Sequence, residues 1–267
     1  METTLRPDNT SMLHHLVNDI DPRLSNYMFM NNGSPLPMVL MVILYVIGCF
    51  GGKAWMQSRD AFSVKVPMQI YNLMMVLVNG YLSLAMITSI FSDNYGLICR
   101  PHNVREGGSV ELTWEFYIIK YVEFLDTIFF ILRKSDRQLS FLHIYHHGSV
   151  VAYMWYVATY IPDSVHRQIV LNAIIHFFMY FYYFLTTLGE GVRKHLWWKK
   201  YITKMQLTQF LIIMLSCCYN VYSDCSNKQV MYNTVYTTTF FYMLSFFILF
   251  SRFYLESYTK PPKEKES

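Results

Sequence analysis

Three ionisable residues, Lys120, Glu123 and Asp126, recur every third position in a segment otherwise apolar enough to lie in a membrane, with Thr127 beside the last. At about 100° per residue they share an arc of roughly 120°, one face of a helix. Each costs on the order of 2.5–3.5 kcal/mol at the centre of a membrane helix, so a packed interior or a wet cavity must receive them. Further on, Phe141-Leu142-His143-Ile144-Tyr145-His146-His147 places three imidazoles at i, i+3 and i+4, again on one face. Asn172, His176, Tyr180 and Tyr183 form a third stripe at i, i+4, i+8 and i+11, and Gln206 and Gln209 a fourth.

Imidazoles gathered beside carboxylates can do two kinds of chemistry. As ligands they would hold iron or zinc, and His-x-x-His-His boxes occur in metal-dependent membrane lipid oxidases and desaturases. Of the nine histidines here, His143, His146, His147 and His176 fall in the inferred pocket, which leaves a di-iron centre short of ligands and a mononuclear metal open. As catalysts in their own right, imidazoles act as nucleophile and general acid or base. A desolvated imidazole is neutral and nucleophilic at pH 7, and a carboxylate such as Asp126 can fix its tautomer. An acyl thioester could then pass its acyl group to a ring nitrogen, splitting a two-substrate condensation into two easier steps.

The elements that position these groups follow from composition. The 267 residues are 53% hydrophobic and 15% charged, with 22 Tyr and 20 Phe, against roughly 25% charge in ordinary globular domains. That balance excludes a disordered tail, a coiled coil and a disulfide-built secreted mini-protein. A bilayer crossing takes about 20 apolar residues, and seven stretches supply them, over about 36–55, 66–91, 114–132, 139–161, 167–188, 205–222 and 235–255. The expected fold is an all-α integral membrane protein with a catalytic domain over 36–255, a short segment before it (1–35) and a tail after it (256–267). No removable leader is expected ahead of the first span. Helical rise places Asp126 and His143 to His147 at similar depth and His176 several ångströms deeper. The polar stripes then line a pocket that opens on one side of the membrane and reaches its midplane.

The net charge of +4 suggests no nucleic-acid partner, because the cations lie in small clusters between apolar blocks. Alternate connections receive them unequally: fifteen Lys and Arg lie on the side that carries Arg133, Lys134 and Arg252, and six on the other. The positive-inside rule makes the first side cytosolic and puts the N-terminus opposite. Cys99 and Cys225 then fall in connections on the non-cytosolic face, where oxidation is available, and are expected to pair. Asn9-Thr10-Ser11 on the same side is an expected glycosylation site. Lys263 and Lys265, fifth and third from the end of a cytosolic tail, resemble a dilysine retrieval signal of the endoplasmic reticulum.

Taken together, these blocks resemble the very-long-chain fatty acid elongase family, membrane 3-ketoacyl-CoA synthases of the endoplasmic reticulum. The likeness rests on Lys120-x-x-Glu123-x-x-Asp126-Thr127 with Phe129-Phe130-x-Leu132-Arg133-Lys134, on Gln138-x-x-Phe141-Leu142-His143-x-Tyr145-His146-His147, on Asn172-x-x-x-His176-x-x-Met179-Tyr180-x-Tyr182-Tyr183, and on Thr203-x-x-Gln206-x-x-Gln209-Phe210, in that order. It implies condensation of long-chain acyl-CoA with malonyl-CoA, without a metal or other cofactor, in a barrel of the last six spans built from two inverted three-helix units, with the first span outside. An acyl-imidazole would form on His146 and the product would meet His176, with His143, His147 and Asp126 in support. Lys120, Glu123, Arg133, Lys134, Asn172, Tyr180, Tyr183, Gln206, Gln209 and Arg252 would serve substrate binding, the cations meeting CoA phosphates and carboxylate. Gln138 matches members that act on polyunsaturated chains. The resemblance further implies that a ketoacyl-CoA reductase, a dehydratase and an enoyl-CoA reductase act as partners, and leaves room for a homo-oligomer.

Overall fold

The computed structural model describes residues 16, 18–92, 109–223 and 230–259. Cys99, Cys225, Asn9 and the retrieval-like lysines lie outside the described residues. Regular structure within them is entirely helical: α1 (Leu36–Met56), α2 (Lys65–Ser92), α3 (Ser109–Val122), α4 (Phe124–Leu132), α5 (Phe141–Tyr160), α6 (His166–Thr187), the short α7 (Glu190–Arg193), α8 (Lys199–Tyr222) and α9 (Val230–Tyr258). Five of these, α1, α2, α6, α8 and α9, are long and apolar enough to cross a membrane. The regular structure of the described residues is all helical, and their long apolar helices are those of a multi-pass membrane protein.

The other two expected spans differ in informative ways. The third is interrupted at Glu123, where Asp126 N–H bonds to Glu123 O at 3.1 Å, one residue short of the α-helical partner. That tighter turn changes the direction in which Asp126 leaves the helix relative to Lys120. The fourth is the continuous helix α5, whose three histidines and several tyrosines keep it out of the set apolar enough to cross a membrane on composition alone.

Packing neighbours trace a closed cycle: α2 on α6, α6 on α8, α8 on α9, α9 on α5, α5 on α3 and α3 on α2. α1 stands outside that cycle, against α4 and α5. Its buried residues Met38, Tyr45, Cys49 and Met56 form one stripe at helical spacing, while Leu40, Leu44, Ile47 and Phe50 on the other faces are exposed, as a lipid-facing helix requires. Gly52 lets α1 approach α4 closely, since a Cβ there would stand 3.3 Å from Ile131.

Helix ends place the polar stripes. Ser140 caps α5 by accepting from His143 N–H, so the histidine box occupies the first two turns. α4 ends in a Schellman motif, with Ser135 N–H bonded to Phe130 O and Lys134 N–H to Ile131 O. Lys134 holds the left-handed position at φ 54°, a place that glycine fills without strain and a lysine at about 1 kcal/mol.

At the opposite end of α5, the segment before α1 packs onto the bundle. Leu24 and Met30 enter the main core, Asp21 N–H bonds to Thr159 O and Trp114 Nε1 donates to Met28 O. Arg23 ties this segment down, its Nη2 standing 2.5 Å from carboxylate oxygens of both Asp21 and Asp163. Those partners, Asp21 first, hold the guanidinium above its ordinary pKa. Arg23→Ala removes the ion pairs to buried Asp21 and Asp163 and is expected to lower stability by roughly 1–3 kcal/mol, read as a drop in thermal midpoint in detergent; an unchanged midpoint would show that the clamp is ornamental.

Candidate active site

Three hydrogen-bonded groups assemble where α3, α4, α5 and α6 meet. In the first, Lys120 Nζ lies 2.7 Å from Glu123 Oε1 and donates to Asn172 Oδ1 at 3.2 Å. His176 brings Nδ1 to 3.1 Å from the same Glu123 oxygen, off the line of a hydrogen bond. Lys120 and Glu123 are 1% and 0% exposed, so each ion is compensated almost wholly by the other. The Phe116 ring, 4.3 Å from Nζ, adds a cation–π contact.

In the second group, Tyr180 donates to Asp126 Oδ2 at 2.6 Å, and Tyr71 OH stands 3.4 Å from Tyr180 OH. In the third, Thr127 Oγ1 meets His143 Nε2 at 2.8 Å and Tyr45 OH at 3.1 Å. Asp126 thus meets a tyrosine rather than fixing an imidazole. The carboxylate that faces a histidine is Glu123.

The imidazoles form a chain through these groups. Ring centroids are 4.3 Å apart for His143 and His147, 5.0 Å for His147 and His146, and 6.4 Å for His146 and His176. Glu123 Oε2 and His147 Nδ1 are buried and without hydrogen-bond partners. Among the described residues, no three His, Cys, Asp or Glu side chains are grouped so as to hold a metal ion.

His146 also lines a pocket inside the helical bundle. From the level of His146, Asn172, Gln209 and Phe246, the lining passes through Val150, Met154 and Ile213 to Val157 and Val165. Along α5 that is about 16 Å of helical rise, away from the box end and toward the end where Arg23 clamps the first segment. The lining is mostly apolar, with His146, Asn172 and Gln209 at one end and Gln168 beside Val165 at the other, and suits a ligand with a long apolar chain.

The remaining expected site residues lie toward the box end. Gln209 is buried, Tyr183 and Gln206 are half-buried, and Gln206 reaches Met179 Sδ at 3.9 Å. Arg133 is half-buried and held by neutral acceptors, Ser135 Oγ and Gln138 Oε1 at 3.0 and 2.8 Å. Burial and then the like charge of Arg193 push its guanidinium below its ordinary pKa. Lys134 and Arg252 are exposed. Tyr45, Tyr71 and Arg193 were not singled out from sequence. Tyr71 had a signal in its four-residue spacing with Met75 and Asn79 on α2, all three buried; Tyr45 had none, because α1 reads as lipid-facing.

Imidazoles and a buried ion pair set at the head of an apolar cavity, inside a membrane helical bundle, define an enzyme-like chamber for a lipid substrate. The GNS1/SUR4 (ELO) family model matches residues 30–266. Very long chain fatty acid elongase 4 of Homo sapiens is 34% identical over 250 residues, covering 92% of this chain and 78% of that protein. Elongase 5 of Xenopus tropicalis is 34% identical over 254 residues (93% and 83%), and elongase 2 of Mus musculus 34% over 260 residues (96% and 87%). The chain belongs to this family of very long chain fatty acid elongases, and is an enzyme of fatty acid elongation.

Tyr180→Phe keeps the ring but removes the 2.6 Å bond to buried Asp126. Stability should fall by about 1–3 kcal/mol and elongation activity should fall with it, measured by thermal unfolding and product formation in detergent; wild-type values for both would contradict the role given to this bond.

Proposed function

We propose that the protein catalyses the condensing step of elongation, joining long-chain acyl-CoA to malonyl-CoA to give a 3-ketoacyl-CoA two carbons longer, with CO2 and CoA released. The observation that carries this reading is His146, which faces both the apolar cavity and the Lys120–Glu123–His176 group. The acyl chain lies in the cavity with its thioester at His146. A ring nitrogen attacks the carbonyl carbon, the N–C bond forms, the C–S bond breaks, CoA leaves as thiolate and a base takes the imidazole proton. Malonyl-CoA then loses CO2, and the electron pair of that bond forms the new C–C bond to the acyl carbon. The N–C bond breaks and His146 regains a proton.

The remaining assignments belong to the same reading. His143 and His147 support proton transfer, while Arg133, Lys134 and Arg252 meet CoA phosphates and carboxylate. The packing cycle of α2, α6, α8, α9, α5 and α3, with α1 outside, supports a seven-span arrangement in which the last six spans form a barrel of two inverted three-helix units. The enzyme resides in the endoplasmic reticulum membrane with its N-terminus lumenal and C-terminus cytosolic, uses no cofactor, and hands its product to the ketoacyl-CoA reductase, dehydratase and enoyl-CoA reductase of the cycle. Gln138 supports a preference for polyunsaturated chains.

Purified protein given acyl-CoA and labelled malonyl-CoA should release CO2 and 3-ketoacyl-CoA in equal amounts, with polyunsaturated acyl-CoA preferred. His146→Ala should lower turnover at least about 1,000-fold. Malonyl-independent lipid oxidation, or full turnover by the variant, would defeat the proposal.

A further inference from the structure

Glu123 is built differently from a substrate-contacting group. Its exposure of 0% leaves no surface for a substrate atom, and it sits at the break between α3 and α4 where the backbone tightens. Lys120 fixes one carboxylate oxygen at 2.7 Å, and that same oxygen faces His176 Nδ1 at 3.1 Å. Catalytic hydrogen bonds are often misaligned without substrate and tighten when it binds. On the other side, His176 faces His146 across 6.4 Å between ring centroids.

We infer that Glu123 is a positioning residue which, anchored by Lys120, holds His176 with Nδ1–H toward the carboxylate and Nε2 toward His146, making His176 the base that takes and returns the His146 proton. The inference rests on the acyl-imidazole reading above. In loading, once substrate has drawn the two rings from their 6.4 Å separation into hydrogen-bond reach, His146 gives its ring proton to His176 Nε2 as the N–C bond forms and the C–S bond breaks, leaving acyl-His146, an imidazolium on His176 and the CoA thiolate. In condensation, CO2 leaves malonyl-CoA, the C–C bond forms, the N–C bond breaks with its electron pair on His146, and His176 returns the proton. Both histidines end neutral, and the one proton consumed overall is the one the released thiolate takes up. Glu123 stays ionised throughout and stabilises the transient imidazolium, as a buried carboxylate does behind the histidine of a catalytic triad.

A positioning role makes kcat fall while KM for both CoA substrates stays put. Glu123→Gln should lower kcat about 100-fold with KM changed less than about threefold, and should cost little more once His176 is already Ala, because groups acting as a unit are not additive. Glu123→Gln also strands the Lys120 ammonium, so the charge-free pair Lys120→Met with Glu123→Gln is measured beside it after gel filtration and thermal unfolding confirm folding. The same low kcat is expected. Recovery of wild-type kcat in the folded pair would overturn the inference by tracing the loss to the unpaired lysine, as would a rise in KM in place of the fall in kcat, or losses at Glu123 and His176 that multiply. Failure of the elongase reading is recognised separately, because wild-type protein in the same assay would then form no malonyl-dependent product.

Discussion

An ammonium and a carboxylate buried in the middle of an apolar bundle must be satisfied by each other or by the groups around them, at a desolvation cost of several kcal/mol per ion. Lys120 and Glu123 meet that demand within one turn of the chain. Much of the surrounding structure follows from their need for company: Asn172 accepts from the ammonium, Phe116 places its ring against it, and α6 must lie where His176 can face the carboxylate. The break between α3 and α4 falls at Glu123 itself. Below the break, Asp126 reaches Tyr180 and Thr127 reaches His143, so one short segment organises polar groups from α1, α2, α5 and α6.

The apolar remainder does the complementary work. Helices whose outer faces carry Leu, Ile and Phe into lipid leave an interior cavity whose walls are also mostly apolar. Its polar lining is sparse, with His146, Asn172 and Gln209 at one end, Tyr153 and Tyr242 along the wall and Gln168 toward the other. In the proposed reaction a long acyl chain would gain by filling that space, roughly 25 cal/mol for each Å² of apolar surface removed from water, and this binding would be spent on holding the thioester at His146. At the far end, Leu24, Met30 and the Arg23 clamp cover the bundle.

Much of this was legible in the sequence. The three-residue spacing of Lys120, Glu123 and Asp126, and the i, i+3, i+4 histidines, correctly foretold that they would meet inside the bundle, because unpaired charges cannot face lipid. Each apolar block falls on helix, five of them on helices long and apolar enough to cross a membrane; the third is broken at Glu123 into α3 and α4, and the fourth, α5, carries the histidine box. Which carboxylate faces a histidine was not legible: an ideal helix puts Asp126 and Glu123 on one arc, and the tightened turn at Glu123 sends them to different partners. Tyr45 was invisible for another reason, since one tyrosine on a lipid-facing helix has no periodic signature until the helix is docked. Lys134 read as one more cytosolic cation, and its left-handed backbone became apparent with the end of α4.

The central claim is that the chamber holds an acyl group covalently on His146 between two half-reactions. Its most direct test is the intact mass of purified protein after incubation with acyl-CoA and no malonyl-CoA, followed by peptide mapping of the quenched sample. The account predicts a mass gain of one acyl group, borne on His146 and discharged when malonyl-CoA is added. An unmodified protein that still condenses both substrates, or an acyl group carried by another residue, would contradict it.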